Sequence, residues 1–473
     1  MLVMKFGGTS VGDAMRFASV SQIIRDARDK DERVVVVVSA MSGVTNGLIK
    51  AARAAAEGDE ASYRRIGEEL LAHHRDTCEA LIAHEGERRD VCWFIEDRLR
   101  DLERFCRSLT VLRELTVRGQ DAVSSLGEKL SAYILAAHLC TQGTRAQAVD
   151  ATELVVTDDN FGAANPLMKK TRERVQKGLL PLLERGTVPV LTGYIGATAE
   201  GVTTTLGRGG SDYTAAIVGT CLDAEEVWIW TDVDGILTAD PSIVSEAHPL
   251  RELSYVEAAE LAYFGADVLH PKTIKPLEER GIPLRILNSF NPTDPGTLIV
   301  KKPQKTPRSV QAIISTKGLS LIGVAGNGDV WTPEVAARAL SRLAREGVDV
   351  LMFTQSFSER QLNLLVRQGD MDHGLKALRR EFQGELKRGA IAQLDIQYPV
   401  ATISVVGGPG EDGLSIVPKT FAALGKHRTK VISIAQASLE YNVSFVVLED
   451  QVDSTVCLIH EELGLGNSSA PQV

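Results

Sequence analysis

Five consecutive valines, Val34–Val38, constrain this chain more than any other feature. A run that is apolar and β-branched at every position suits a strand covered on both faces, not one with a face in water. Strands of that kind belong to parallel sheets flanked by helices, so this one segment already points to an α/β architecture. Further strand-length runs at Leu2–Phe6 and at residues 188–191, 227–230 and 283–287 alternate with helix-length stretches such as 212–222 and 255–264. The alternation predicts a parallel-rich central sheet sandwiched by helices up to about residue 300. One stretch breaks the rhythm. Across residues 57–112, Tyr63, Ile66, Leu70, Leu81, Trp93, Ile95, Leu99, Leu102, Phe105 and Leu109 recur at helical spacing. They predict a pair of amphipathic helices within a helical insertion over about 57–120. His73, His74 and His84 fall there, and with no carboxylate or cysteine completing a ligand set they are expected to be solvated or capping.

Residues 301–310 carry four Lys/Arg and two prolines, which marks a linker. Two later segments, starting at Leu319 and Thr402, each read strand, Gly-rich turn, helix, strand, Gln-containing loop, strand. They are two copies of one β-α-β-β unit. The expected division is a catalytic body over 1–300, a linker with the first repeat over 301–390, the second repeat over 391–463, and a Gly/Ser/Asn-rich flexible tail over 464–473. A total of 473 residues fits about three domains at ~150 residues each.

Composition narrows the function classes. Lys and Arg number 52 against 62 Asp and Glu, a net charge of −10, with no Lys/Arg-rich run, so no nucleic-acid partner is expected. Six cysteines are scattered at 78, 92, 106, 140, 221 and 457 without a CxxC pair, which predicts neither a disulfide framework nor a zinc site. The N-terminus lacks a basic segment followed by an apolar signal run, and no apolar run approaches a membrane span. A soluble, cytoplasmic protein with no membrane partner is expected.

Four segments at strand ends carry groups that can do chemistry. Lys5-Phe6-Gly7-Gly8-Thr9-Ser10 places two glycines, two hydroxyls and a lysine after a buried strand, where backbone N–H groups can approach phosphate oxygens; a plain tight turn reads the same way. Ser39-Ala40-Met41-Ser42-Gly43-Val44-Thr45-Asn46 follows the valine strand, where open α/β sheets bind ligands, and is equally compatible with an ordinary capped turn. Gly207-Arg208-Gly209-Gly210-Ser211-Asp212 offers a guanidinium fork for a carboxylate or phosphate, the arginine being expected buried among the glycines; Ser211 or Asp212 as a simple N-cap is the alternative. Trp230-Thr231-Asp232-Val233-Asp234-Gly235 suits a nucleotide-side loop, since the rest of an EF-hand loop is missing.

Together, KFGGTSV, SAMSGVTN, GRGGSDYTA and WTDVDG resemble the aspartate kinase (aspartokinase) family of the amino-acid-kinase superfamily, and FGADVLHPKTI at 264–274 adds to the match. The C-terminal repeats resemble that family's paired ACT domains. The resemblance implies an amino-acid-kinase fold followed by two ferredoxin-like ACT domains, and a monofunctional enzyme, the length leaving no room for the homoserine dehydrogenase domain fused to some relatives. It implies transfer of the γ-phosphate of ATP, with Mg²⁺ held chiefly by ATP oxygens and water, to the β-carboxylate of L-aspartate. That step opens lysine, threonine and methionine biosynthesis. The acceptor carboxylate, with a pKa near ~3.9, is ionised at neutral pH and needs no general base, so positioning and positive charge carry the reaction. By resemblance Lys5 and Asp212 are catalytic; Ser39, Thr45, Glu128, Arg208 and Ser211 bind aspartate; Lys5, Gly7, Gly8, Thr231, Asp232, Leu237, Ser242 and Lys272 lie on the ATP side.

The chain departs from the family pattern at Leu237, Ser242 and Asp267, where tyrosine, arginine and lysine are usual. A charge reversal at Asp267 leaves three outcomes: ATP held differently, Lys272 compensating, or a modest nucleotide affinity. Lysine and/or threonine are the expected effectors, bound around Asn327, Asp329 and Gln355 of the first repeat. The second repeat, which carries Gln436, is expected to serve as scaffold for a homodimer or homotetramer, the open sheet edges pairing between chains. A sister kinase for glutamate or acetylglutamate, or a regulatory protein with a degenerate kinase body, are the competing readings.

Overall fold

The computed structural model describes residues 1–30, 33–263, 269–303, 310–327, 333–356, 360–407, 416–436 and 442–466. The strands are β1 Leu2–Phe6, β2 Val34–Val38, β3 Ala146–Val149, β4 Val188–Thr192, β5 Ile195–Ala197, β6 Thr203–Thr205, β7 Glu226–Thr231, β8 Glu252–Ser254, β9 Leu284–Asn288 and β10 Thr297–Val300. After the linker come β11 Val310–Gly326, β12 Val350–Ser356, β13 Gln361–Arg367, β14 Ile391–Gly407, β15 Ser433–Gln436 and β16 Asn442–Leu448. The chain divides into two bodies; the second takes Lys305–Val473 together with Leu237–Leu250.

In the first body an eight-stranded sheet runs in the order β3-β4-β2-β1-β7-β9-β10-β8. β1 pairs parallel with β2 on one side and with β7 on the other. The chain therefore leaves β1 in one direction and returns on its other side, so the carboxyl ends of β1, β2 and β7 meet at a switch point, the place where α/β sheets bind ligands. Every residue of β1 and β2 is buried, as the valine run requires. Phe6 stacks on Trp230 with ring centroids 5.9 Å apart, across the β1–β7 pair. Full burial of a side chain such as Phe6 stabilises by ~1.5–3 kcal/mol. The helical insertion is present as Glu60–Leu81 and Glu85–Leu112, whose buried residues, Tyr63, Leu70, Cys78 and Leu81 on one and Val91, Ile95, Leu99, Leu102, Cys106 and Leu109 on the other, keep helical spacing. His84 stands at the N-cap position of the second of these helices without a side-chain cap bond, and His74 is fully buried and holds the Leu70 carbonyl at 2.6 Å through Nδ1. Burial keeps His74 neutral, its pKa lowered to about 4. The six cysteines are unpaired, and among the described residues no helix is long and apolar enough to cross a membrane.

The second body is a six-stranded sheet in the order β12-β13-β11-β14-β16-β15. Its two long strands each serve two repeats. Residues 319–326 of β11, with β12, β13 and residues 391–396 of β14, complete the first repeat; residues 400–406 of β14, with β15 and β16, take residues 312–316 of β11 as their fourth strand. The stretch 312–316, expected within the span 301–390 of linker and first repeat, instead supplies a strand to the second. Ile313 explains the choice, being 2% exposed, opposite Val405, and packed in the core formed by Ile403, Val405, Phe445 and Val456. The first repeat has its own core of Ile322, Val324, Leu343, Leu364 and Phe382. Within the chain β12 and β15 lie beside each other, with Thr354 and Ser433 hydroxyls hydrogen-bonded at 2.7 Å over an apolar cluster of Leu319, Leu321, Leu365, Val400 and Val446.

Segment Leu237–Leu250 is fastened into this body. Thr238 hydrogen-bonds buried His460 at 3.2 Å and its carbonyl accepts the Ile313 N–H at 2.8 Å, while Ala239 and Val244 join the core of the second repeat. Ile313→Ala is expected to destabilise the second repeat by ~2–5 kcal/mol, the range for emptying a buried Ile. Hydrogen exchange should then accelerate in β14 and β16 while β12 and β13 stay protected; loss of protection in β12 and β13 instead would contradict the strand assignment.

Candidate active site

Lys5 sits on β1 between apolar neighbours, 8% exposed, and its Nζ lies 2.5 Å from Asp212 Oδ1. A buried ammonium needs such a partner. The approach is that of an ion pair rather than an aligned hydrogen bond, since Oδ1 has no hydrogen-bond partner. Asp212 comes from the first turn of helix Gly210–Leu222, where a carboxylate also meets the positive end of the helix dipole. The N-cap of that helix is Gly209 at φ +69°, so neither Ser211 nor Asp212 spends its side chain on capping. Both are left for chemistry. The Gly7 N–H donates to the Trp230 carbonyl at 3.1 Å, which seats the N-terminal glycine loop against the end of β7.

Glu128 lies in the first turn of helix Leu126–Thr141 and is 3% exposed. Its Oε1 accepts the Ala40 N–H at 3.2 Å, but Oε2 is buried with no partner. Burial is the first cause that pushes its pKa up, to about 8, against the opposing pull of the Ala40 amide and its own amide. Gly127 is what lets the helix approach: a Cβ there would stand 2.6 Å from the Ala40 Cβ. The loop after β2 thus delivers Ser39, whose N–H donates to the Phe6 carbonyl at 3.1 Å, Ala40 against Glu128, and Thr45 in the first turn of helix Val44–Glu57.

Arg208 is exposed, which corrects the expectation of an arginine buried among glycines. Glycines at φ +79° and +69° on either side make a loop rather than a packed turn, and the long side chain reaches solvent. Its charge nonetheless acts at the site. His270, the N-cap of helix Pro271–Arg280, has its pKa lowered first by burial and then by the charges of Lys272 and Arg208, with Asp212 opposing. Arg208, Lys272 and Asp212 therefore all act electrostatically on one imidazole. At the end of β7, Thr231 donates its hydroxyl to Asp232 Oδ1 at 3.2 Å, and Asp234 Oδ1 accepts from Asn288 at 2.8 Å and Asn291 at 3.1 Å.

Not every expected residue falls into this group. Leu237 and Ser242 lie in the segment that belongs to the second body, where Ser242 donates its N–H and hydroxyl to Asp240 Oδ1 at 2.8 and 2.7 Å. Asp267 and Asp329 lie outside the described residues. Among the effector positions, Asn327 donates its N–H to the Ala390 carbonyl at 2.8 Å, Gln355 stands in β12 opposite Leu362, and Gln436 ends β15 opposite Val443. Sequence reasoning missed Asp121, 2% exposed, which accepts from the Gly162 N–H at 2.8 Å, the Thr205 N–H at 3.0 Å and the Thr205 hydroxyl at 2.7 Å and so holds the strand that leads into Arg208. A lone carboxylate inside a polar helix carries no sequence signal for that role.

The sequence profile of the amino acid kinase family matches residues 1–288, and an ACT-domain profile matches 322–382 and 403–463. Aspartokinase 1 of Arabidopsis thaliana is 33% identical over 97% of this chain and 79% of its own length. Bifunctional aspartokinase/homoserine dehydrogenase 2 of the same plant is 32% identical over 99% of this chain, which spans 51% of that longer relative. Two solved structures of E. coli aspartokinase III also match: the complex with aspartate and ADP (R-state) at TM-score 0.82 and 28% identity, covering 98% of this chain and 100% of that one, and the complex with lysine and aspartate (T-state) at TM-score 0.79 and 29% identity, covering 98% and 99%. The chain belongs to the amino acid kinase family, in its aspartokinase branch, with ACT domains following the kinase body.

The raised pKa of Glu128 has a stability consequence with a definite sign. Between the ordinary value of 4.5 and the folded value of about 8, the folded state binds a proton that the unfolded state has lost. Stability from this group is therefore fully present below 4.5 and is lost as pH rises towards about 8. Glu128→Gln is expected to abolish that decline. Thermal unfolding of the substrate-free variant from pH 5 to 9 checks it: the variant should fall less with pH than the wild type, and parallel curves would refute a buried, unpaired carboxyl.

Proposed function

We propose that the chain is an ATP-dependent aspartate kinase, which transfers the γ-phosphoryl group of MgATP to the β-carboxylate of L-aspartate and releases 4-phospho-L-aspartate and ADP. The observation that carries this reading is the orphaned Oε2 of Glu128. A buried carboxylate oxygen without a partner is costly unless a ligand supplies the missing donor, and an α-ammonium group supplies both donor and charge. Arg208, on a loop bearing on the same site, suits the α-carboxylate in a bidentate grip, and Ser39, Thr45 and Ser211 offer hydroxyls to the substrate. Those contacts turn the β-carboxylate towards Lys5. An anion attacking an anion is slowed by repulsion, which Lys5 offsets at the transferring group, with Gly7 and Gly8 lining the phosphates and Thr231, Asp232 and Lys272 on the nucleotide side.

In this reading Asp212 orients Lys5 and shares the ammonium with Glu128. Aspartate and ADP in the E. coli aspartokinase III complex support the substrate pair, and lysine in its T-state complex supports lysine as an effector of this chain, with threonine as the alternative. The ACT repeats would bind it around Asn327, Asp329 and Gln355, the Gln436 repeat serving as scaffold in a homodimer or homotetramer. The product opens lysine, threonine and methionine synthesis in the cytoplasm.

ADP release with aspartate, glutamate or acetylglutamate as acceptor, each with and without lysine and threonine, tests the reading. Turnover is expected with aspartate alone, suppressed by at least one effector. Lys5→Ala should lower kcat by ~10²–10³, the usual loss for one preorganised charge at a developing anion, with the fold retained. Turnover with glutamate but not aspartate, or a Lys5→Ala enzyme of normal kcat, would overturn it.

A further inference from the structure

Tyr194, between β4 and β5, has a φ of +69°, the largest among the described non-glycine residues with positive φ. The Ile195 N–H donates to the Gly193 carbonyl at 2.8 Å, closing a γ-turn with Tyr194 at its apex. The positive-φ γ-turn is the rare, strained kind, and a bulky aromatic there is an outlier. Arg113 and Asp223, by contrast, are helix C-caps, where a left-handed residue is routine. Strain of this sort persists only where the surroundings over-determine it, and it concentrates at functional sites.

The surroundings of Tyr194 do over-determine it. Its N–H donates to the Thr214 hydroxyl at 3.0 Å, and its carbonyl accepts the Leu206 N–H at 2.9 Å. Its ring lies so close to Gly210 that a Cβ there would stand 2.7 Å from the ring Cδ2. One end of the residue is thus fixed to the helix that carries Ser211 and Asp212 and to the strand end leading into Arg208. The hydroxyl at the other end faces Thr205 and Ser124, and the carboxyls of Glu128 and Asp121 bear on it. Ser124 ends the helix four residues ahead of Glu128. The Thr205 hydroxyl already donates to Asp121 Oδ1 and the Ser124 hydroxyl to the Asp121 carbonyl, at 2.7 and 3.3 Å. With those two protons committed, the phenol is the hydroxyl left to donate.

We propose that Tyr194 is a positioning residue of the amino-acid half of the site: a strut that fixes the spacing between the Ser211–Asp212 side and the Glu128 side, so that one α-ammonium group meets both carboxylates. This rests on reading Glu128 as the receptor of that ammonium. The strained turn holds the ring against Gly210 with its hydroxyl at Thr205 and Ser124. The phenol dipole also favours the ionised Glu128, the form that binds the cation.

The test uses the full chain with aspartate and MgATP varied independently between pH 6 and 9. Tyr194→Phe keeps the ring and removes the hydroxyl. It should raise KM for aspartate about tenfold, leave kcat and KM for ATP within about twofold, and move the acid limb of kcat/KM for aspartate to higher pH. Tyr194→Gly keeps the turn without steric cost and removes the strut; aspartate affinity should fall further while ADP binding, read by calorimetry, shows the fold intact. A purely structural role would weaken ATP and aspartate alike and leave the limb in place, and that result overturns the proposal, as does a Phe variant identical to wild type. A wild-type enzyme inactive towards aspartate overturns the functional reading before any variant is made; an active wild type with an unaffected Phe variant overturns only the strut.

Discussion

Lys5 carries a full charge on a strand whose five residues are all buried, flanked on both sides by parallel strands. An ammonium in that position is tolerated only with a carboxylate at contact distance, and Asp212 supplies it. That single pair dictates much of the surrounding geometry. The carboxylate has to come from a helix starting at the carboxyl end of the sheet, the helix has to begin without spending Asp212 on its own cap, and Gly209 meets that condition by starting the helix from a left-handed residue. The loop then carries Arg208 out to solvent and into the field felt by His270.

The other half of the site obeys the opposite logic. Glu128 is as buried as Lys5, yet among the described residues no cation pairs with it and its Oε2 has no hydrogen-bond partner. The result is a site with one internally balanced pair and one unbalanced carboxyl. A ligand that brings its own positive charge completes it, and a plain dicarboxylate does not. In the proposed reading, specificity for an amino acid follows from where the protein withholds a charge, and the cost is a fold that becomes less stable as Glu128 ionises.

Much of this was legible in the residues. The valine run, the strand-end glycines and the helical spacing over 57–112 each gave the element that forms, because they depend on local pattern alone. What escaped depends on partners distant in the chain. Residues 312–316 fell within the span of linker and first repeat over 301–390, and only their pairing with residues 402–406, some ninety residues on, assigns them to the second repeat. Arg208 looked buried because glycines surround it in sequence, yet the same glycines open the loop. His74 looked like a surface histidine, and its burial follows from the packing of the two inserted helices on the body. Tyr194 carried no motif, since its role lies in a backbone angle. Leu237 and Ser242 follow directly on the β7 loop in sequence but are held in the second body through Thr238, His460 and Ile313.

In the proposed reading a buried, protonated Glu128 gives up its proton to receive the ammonium group of aspartate. Isothermal titration of aspartate into the wild-type enzyme at pH 7, in two buffers of different ionisation enthalpy, measures that proton. With a free-enzyme pKa of about 8, nearly one proton should be released for each aspartate bound, and the release should fade towards pH 9 and be absent in Glu128→Gln. Binding with no proton released at pH 7, or release unchanged in Glu128→Gln, would contradict it.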